Sequence, residues 1–221
     1  MPEAKPAEFP IEPFDPERHD RAAFSCGIEQ VDNYFQKTAN KLAKADNVRL
    51  FVMLAPDGAL IGFYAINAHS VNYTELPPKF ARTRPSHGNI LAAYISMIGR
   101  DQRFKGSGYG SDLLVDALRR IAAAAESLGI AVVMLDVLDC GDPARVARRK
   151  ALYEGFGFVP LPSRDLRMFL PMVTVRALVD EADRPAVMAS PQLNRMQTLQ
   201  PALADTDTLR EMALMRPVRG R

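Results

Sequence analysis

The stretch Arg103-Phe104-Lys105-Gly106-Ser107-Gly108-Tyr109-Gly110 sets the terms for the rest of this 221-residue chain. An apolar run over residues 90–98 ends just before it, and an amphipathic segment over about 111–128 begins just after it. Glycine at three alternate positions lets a backbone turn tightly and approach a ligand with no Cβ in the way. Where such a turn opens into a helix, unpaired N–H groups and the positive end of the helix dipole favour an anion. The expectation is a phosphate or pyrophosphate cradle between a strand and a helix. Two nucleotide-binding readings fail on detail. A P-loop needs Lys-Ser or Lys-Thr after its last glycine, whereas Ser111-Asp112 follow Gly110. A dinucleotide fingerprint needs Gly-x-Gly-x-x-Gly, and the spacing here is Gly-x-Gly-x-Gly.

The segments on either side predict an α/β domain. Residues 1–16 carry five prolines and read as an extended N-terminal arm, with Ile11 and Phe14 available to pack. The first helix is expected over about 28–45. Its apolar stripe is Ile28, Val31, Phe35, Thr38, Ala39 and Leu42, and a second stripe of Lys37, Lys41 and Lys44 faces solvent or a polyanion. Residues 50–54 and 60–68 read as a hairpin around Ala55-Pro56-Asp57-Gly58, with Gly62 as a candidate bulge. A loop over 69–88 holds Lys79, Arg82, Arg84 and His87. In the helix after the glycine turn, Leu113, Leu114, Ala117, Leu118, Ile121, Ala125 and Leu128 keep a helical period, and Asp116 lies one turn before Arg120. Residues 130–137 read as a strand buried on both faces. Asp142-Pro143 reads as an N-cap with proline at the first helical position, for a helix running to about Glu154. Phe156-Gly157-Phe158 leads into another strand, and 166–174 is the last. In this order a ligand belongs at the carboxyl end of the central strand. Beyond about 179 the pattern degrades, apart from a turn or two of helix around Leu209, Met212 and Ala213.

Composition bounds the function without choosing it. A hydrophobic fraction of 48% and a charged fraction of 24% suit a globular domain. A net charge of +2 does not demand nucleic acid, though a local basic face is allowed. The two cysteines, Cys26 and Cys140, read as reduced thiols, and no apolar run is long enough to span a bilayer. With no signal-peptide pattern the expected compartment is the cytoplasm, with no membrane partner. No metal-ligand spacing is present, so no metal is expected.

Residues 105–110 resemble the acyl-CoA pyrophosphate loop of the GNAT N-acetyltransferases. Gly108 and Gly110 match that pattern's last fixed positions, and Lys105 stands where the family usually has Gln or Arg. A second segment, Ala151-Leu152-Tyr153-Glu154-Gly155-Phe156-Gly157-Phe158, is similar to the family's later helix-to-strand segment. A subgroup is also suggested. Phe24-Ser25-Cys26-Gly27 with Val31-Asp32-Asn33-Tyr34-Phe35, and the closing Arg167-Met168-Phe169-Leu170-Pro171-Met172, resemble the toxin acetyltransferases of bacterial toxin–antitoxin modules. The strand before the loop departs from them. It reads Met97-Ile98-Gly99-Arg100-Asp101, where the subgroup commonly has Arg-Leu-Ala-Val-Asp.

The resemblance implies a GNAT fold, a mixed central sheet flanked by helices, over 17–178, with 179–221 as a C-terminal extension it does not cover. It implies acetyl-CoA as co-substrate and the α-amino group of an aminoacyl-tRNA as acceptor, which blocks translation. A ribbon-helix-helix antitoxin is the partner it brings, and a homodimer is a further candidate assembly. In this frame Lys105, Gly106, Ser107, Gly108, Tyr109 and Gly110 hold the pyrophosphate. The backbone of Ile98, Gly99 and Arg100 holds the pantetheine arm, and Tyr153 is the acid that protonates the departing thiolate. A phenol, with a pKa of about 10, carries that proton at neutral pH.

No general base stands out. An α-amine titrates near 8, so it needs less help than a lysine. Lys37, Lys41, Arg82, Arg84 and Arg149 are the candidate contacts to the RNA. Arg149 lies four residues before Tyr153 and so on its helical face. Two other readings stay open: an acetyltransferase for a small-molecule or protein amine, and a non-catalytic acyl-CoA-binding regulator.

Overall fold

Alternating apolar residues in the strands build a sheet that packs helices on both faces. The computed structural model describes residues 9–78 and 88–183. Within them seven strands run in the order β1-β2-β3-β4-β5-β7-β6. These are β1 (Ile11–Pro13), β2 (Arg49–Leu54), β3 (Leu60–Asn72), β4 (Asn89–Arg100), β5 (Val132–Asp136), β6 (Val159–Leu161) and β7 (Arg164–Pro171). Every neighbouring pair is antiparallel except β4 with β5, so the sheet is mixed, as expected. The expected sites Arg82 and Arg84, with Lys79 and His87, lie outside the described residues. So do residues 1–8 and everything after 183.

One face of the sheet carries α3 (Tyr109–Ala125), whose Leu113, Leu114, Ala117, Leu118 and Ile121 are buried against it. On the same face lie α4 (Pro143–Gly155), which contributes Tyr153, and α5 (Met172–Asp183), which contributes Val175. On the other face the first helical segment covers β2 and β3 through Val31, Phe35 and Ala39. It runs as α1 (Glu29–Asn33), a π-helical turn (Tyr34–Thr38) and α2 (Ala39–Lys44). Phe35 stacks on Phe63 with ring centroids 4.1 Å apart. The β4–β5–β7 part of this second face holds a smaller cluster with Ile90, Ala92, Met134 and Phe169.

Several expectations shift. The arm contributes an edge strand: Ile11 faces Met53, and the carbonyl of Ile11 accepts from Arg120 Nη2 at 3.0 Å. Its Pro13 is tolerated because an edge strand needs no donor on its outer side. Along β2, β3 and β4 the irregularities fall between Met53 and Leu54 and between Ala65 and Ile66, not at Gly62. Gly62 is instead a close-packing point: a Cβ there would lie 2.8 Å from the Gly99 carbonyl oxygen and 2.5 Å from Leu113 Cδ1. β3 continues past its expected end at 68, through His69 to Asn72. The last strand stops at Pro171, and Met172 opens helix α5, which crosses the expected boundary at 178. Val173, Thr174 and Val175 suit a strand by residue type, and packing of Val175 against the core overrides that preference.

Candidate active site

The parallel pair β4–β5 is in register only from Ala92–Val132 to Ile95–Leu135. Beyond Ile95 the strands part. β4 continues to Arg100 along β3, whereas the N–H of Val137 turns to the carbonyl of Leu166 at 2.7 Å. The irregularity at Ala65/Ile66 falls where β4 departs, leaving Ser96 without a paired residue on β3. A cavity of about 750 Å³ occupies the opening. Gly110, Leu113 and Tyr153 line it from the α3 face, and Cys26, Tyr94, Asp136 and Arg167 from elsewhere in its wall. Its size is that of a small-ligand site.

Ile98, Gly99 and Arg100 line this cavity from β4. The structure gives a reason for glycine at 99. A Cβ there would stand 2.9 Å from both Phe63 Cε1 and Val31 Cγ1, so the first helix closes on the strand at a point where even alanine is tight. Asp101, at 1% exposure, then ends the strand and anchors the turn after it. Its carboxylate accepts from the backbone N–H of Ser25 (3.1 Å) and of Arg103 (2.9 Å), and from Arg103 Nε and Nη2 at 3.0 Å each. Burial pushes its pKa up, but the Arg103 guanidinium and the N–H donors together bring it below its ordinary value. A folded-state pKa below the unfolded one contributes stability above about pH 4 that is lost as the pH falls through the folded value. Asp101→Asn is therefore expected to cost about 1–2 kcal/mol at pH 7, a modest figure because Arg103 is half exposed. The deficit should shrink on acidification below about pH 4, as urea unfolding at pH 7 and pH 3 would show.

A turn over Gln102–Phe104 links Asp101 to the glycine stretch. Gly106 has φ +92° and Gly108 φ +79°, and Gly108 is the residue from which α3 starts. No backbone acceptor among the described residues takes the N–H groups of Gly106, Ser107, Gly108, Tyr109 or Gly110. A Cβ at Gly106, Gly108 or Gly110 would meet nothing within 4 Å. The first two glycines are thus required by backbone conformation, and the surface above the turn is open. Free N–H donors at the start of a 17-residue helix make a cradle that fits a pyrophosphate.

Tyr153 sits near the end of α4 and is 7% exposed. The helix is held from both sides. Arg149 Nη1 donates to the Leu138 carbonyl at 3.0 Å and reaches Cys140 Sγ at 3.4 Å, and Lys150 Nζ pairs with Asp165 at 2.6 Å. The expected N-cap is present, with Asp142 accepting from the N–H groups of Ala144 and Arg145. The Tyr153 ring lies edge-on to Phe158, and the N–H of Phe158 bonds to the Tyr153 carbonyl. Burial pushes the phenol pKa up to about 12, against a smaller opposing effect of Arg149. Its hydroxyl has no hydrogen-bond partner among the described residues, and the residue lines the cavity. The opening motif also has a physical reason: Asp32 accepts from Ser25 Oγ (2.9 Å) and from the Cys26 N–H (2.7 Å), pinning that turn at the cavity wall. Burial, with Asp32 beside it, pushes the Cys26 thiol up to about 12, so Cys26 is no nucleophile.

Of the expected RNA contacts, Arg149 lines the cavity, whereas Lys37 and Lys41 stand exposed on the first helical segment and are absent from the cavity lining. Sequence reasoning missed one group of residues in the cavity. Tyr94 Oη donates to Asp136 Oδ2 at 2.7 Å, and Arg167 grips the same carboxylate through Nε (2.6 Å) and Nη2 (2.7 Å). These three come from β4, β5 and β7, and only the sheet register brings them together. In the sequence Arg167 stands out only as the first residue of the closing motif.

A sheet opened between two parallel strands, with a glycine turn and helix N-terminus at the opening, defines the GNAT class of N-acetyltransferases. A solved structure with this fold, "AtaT complexed with acetyl-methionyl-tRNAfMet", superposes with a TM-score of 0.67 at 19% identity, covering 77% of this chain and 99% of that one. A second, "Crystal structure of AtaTR bound with AcCoA", gives 0.64 at 20% identity, covering 77% and 97%. No family model matches the chain. In sequence it is 66% identical over 170 residues to a probable toxin TacT of Sinorhizobium fredii, covering 76% of this chain and 94% of that protein. It is 32% identical over 162 residues to a tRNA-acetylating toxin of Mycobacterium tuberculosis, covering 73% and 92%. The chain belongs to the family of GNAT toxin acetyltransferases.

Proposed function

We propose that the chain transfers an acetyl group from acetyl-CoA to the α-amino group of an aminoacyl-tRNA and so blocks translation. The observation that carries this reading is the cavity in the split sheet, with the N–H cradle at residues 106–110 and Tyr153 in its wall. Acetyl-CoA bound there supplies an acyl group activated as a thioester. The cradle, with Lys105 beside it, holds the pyrophosphate, and the backbone of Ile98, Gly99 and Arg100 holds the pantetheine arm along the free edge of β4. A backbone N–H on that edge polarises the acyl carbonyl. As the amine nitrogen bonds to the carbonyl carbon and the carbon–sulfur bond breaks, Tyr153 gives its hydroxyl proton to sulfur, and the proton that the nitrogen sheds passes through solvent to restore the phenol. With the phenol pushed up to about 12, the proton moves late, and the hydrogen bond to sulfur strengthens as charge grows there on the way to the transition state.

The amine enters neutral. Asp136, the carboxylate of the hydrogen-bonded group, is held below its ordinary value by Arg167 and Tyr94 and makes a poor base. An acceptor that titrates near 8 fits a site with no strong base better than a lysine side chain does. The reaction belongs in the cytoplasm, where charged tRNA is found, and no described helix is long and apolar enough to cross a membrane. A ribbon-helix-helix antitoxin is the expected partner. Incubation with labelled acetyl-CoA and a pool of charged tRNAs should place label on the aminoacyl group of a subset of them. Label on uncharged tRNA, or on none, would overturn the acceptor assignment.

A further inference from the structure

Arg167 opens the closing motif of the domain, yet the acetyl transfer itself makes no use of it. Its place in the cavity wall and its hydrogen bonds give it a task. The donor is held from the α3 side, where Gly110 and Leu113 line the cavity. Tyr94 packs with the cluster on the opposite face of the sheet, beside Ala92 and Met134, and Asp136 and Arg167 adjoin it. With the donor on the α3 side, this face is the one left for the molecule that carries the amine.

Arg167 is fixed in three ways. Nε and Nη2 are both spent on Asp136, and Cζ lies 5.9 Å from the centre of the Tyr94 ring. Tyr94 is itself tied to Asp136 by its hydroxyl and lies against His69, with ring centroids 5.3 Å apart. Nη1 has no partner among the described residues. The side chain is 23% exposed and lines the cavity. The result is a guanidinium with one edge locked by a carboxylate and the other presented to the acceptor. A planar donor immobilised in advance loses little rotamer freedom on binding. Arg164, also on the cavity wall and paired to Glu75 at 3.3 Å, adds a second cation beside it.

We propose that Arg167 is a positioning residue that takes a backbone phosphate of the acceptor's single-stranded 3′ end through its unspent edge, with Asp136 and Tyr94 setting its orientation. This rests on the reading that the acceptor is an aminoacyl-tRNA. A phosphate fits this group better than the aminoacyl ester does. Oriented, charge-assisted N–H donors match phosphate oxygens, and the neighbouring Arg164 favours an anion over a neutral carbonyl.

The test compares acetylation of charged tRNA with that of puromycin, an aminoacyl-nucleoside with a free α-amine and no phosphate. For Arg167→Ala the KM for charged tRNA should rise about 10- to 100-fold, the loss of one charge-assisted contact. The kcat at saturation, the acetyl-CoA Kd and the rate on puromycin should stay at wild-type values. The slope of log KM against log salt should fall by about 0.7, one phosphate on a single strand. Arg167→Lys should restore part of the KM and all of the slope. Asp136→Asn, which loosens the guanidinium but keeps its charge, should raise KM with the slope unchanged. An unaltered salt slope in Arg167→Ala, or equal losses on tRNA and puromycin, overturns the phosphate assignment. Wild-type protein that acetylates no charged tRNA overturns the acceptor reading instead, and this inference falls with it.

Discussion

Tyr153→Phe is expected to lower kcat about 10²- to 10⁴-fold, the usual contribution of a positioned acid, with acetyl-CoA affinity and melting temperature at wild-type levels. Tyr153 is buried, but none of the described residues bonds to its hydroxyl. Removing the oxygen therefore leaves no stranded partner, and the ring keeps its edge contact with Phe158. Stability should hardly move, which separates a chemical role from a structural one. Single-turnover transfer to charged tRNA, with calorimetric titration of acetyl-CoA, would measure both. The pH profile adds a second check. With the phenol pushed up to about 12, its own titration cannot limit the rate at neutral or mildly alkaline pH. The acid limb should belong to the α-amine, with an apparent pKa at or below about 8. A rate that stays within about threefold of wild type in the Phe variant, far short of the loss of a positioned acid, would remove Tyr153 from the mechanism.

The second large effect is at Gly108. Its φ of +79° starts helix α3 and aims the N–H groups of the first helical turn. A β-branched residue in that conformation costs about 1–3 kcal/mol, and relaxing the strain would turn the donors away from the pyrophosphate. Gly108→Val is expected to weaken acetyl-CoA binding about 10- to 100-fold or more, each factor of ten being about 1.4 kcal/mol. Gly110→Ala separates the two reasons for glycine. Gly110 has an ordinary helical backbone, and a Cβ there meets nothing within 4 Å. Any loss of affinity at 110 therefore reports close approach of the ligand, whereas the loss at 108 reports backbone strain. Wild-type affinity in Gly108→Val would sink the assignment of this turn as the cradle.

Much of the fold was legible because local chemistry and tertiary structure agree. The apolar period of α3, the Asp142 cap of α4, the Asp57-Gly58 hairpin turn and the glycine turn are local signals, and each stands where its residues placed it. Helix α5 was hidden because Val173, Thr174 and Val175 carry strand preference and no capping residue marks its start. Gly62 and Gly99 look alike in sequence, but each is needed for a separate long-range contact, with α3 and β4 at one and with the first helix at the other. The site divides in the same way. Residues 105–110 and Tyr153 belong to continuous segments with recognisable order. The Tyr94–Asp136–Arg167 group joins residues 42 and 31 positions apart, a meeting that only strand register can specify.

The parting of β4 and β5 has a consequence for what this protein tolerates as a neighbour. From Ser96 to Arg100 no described residue bonds to the peptide groups on the outer edge of β4, and an open strand edge is the feature that lets β-proteins add foreign strands and aggregate. Here that edge lies in the interior. The turn at Cys26, the start of the first helix and helix α4 wall the cleft in. Strands pair about 4.8 Å apart through amide and carbonyl groups, so a guest that bonds to this edge is an extended chain carrying its own amide groups to match the row. By separating two strands inside its own walls, the chain turns a surface that invites aggregation into one that a ligand's amide groups can complete.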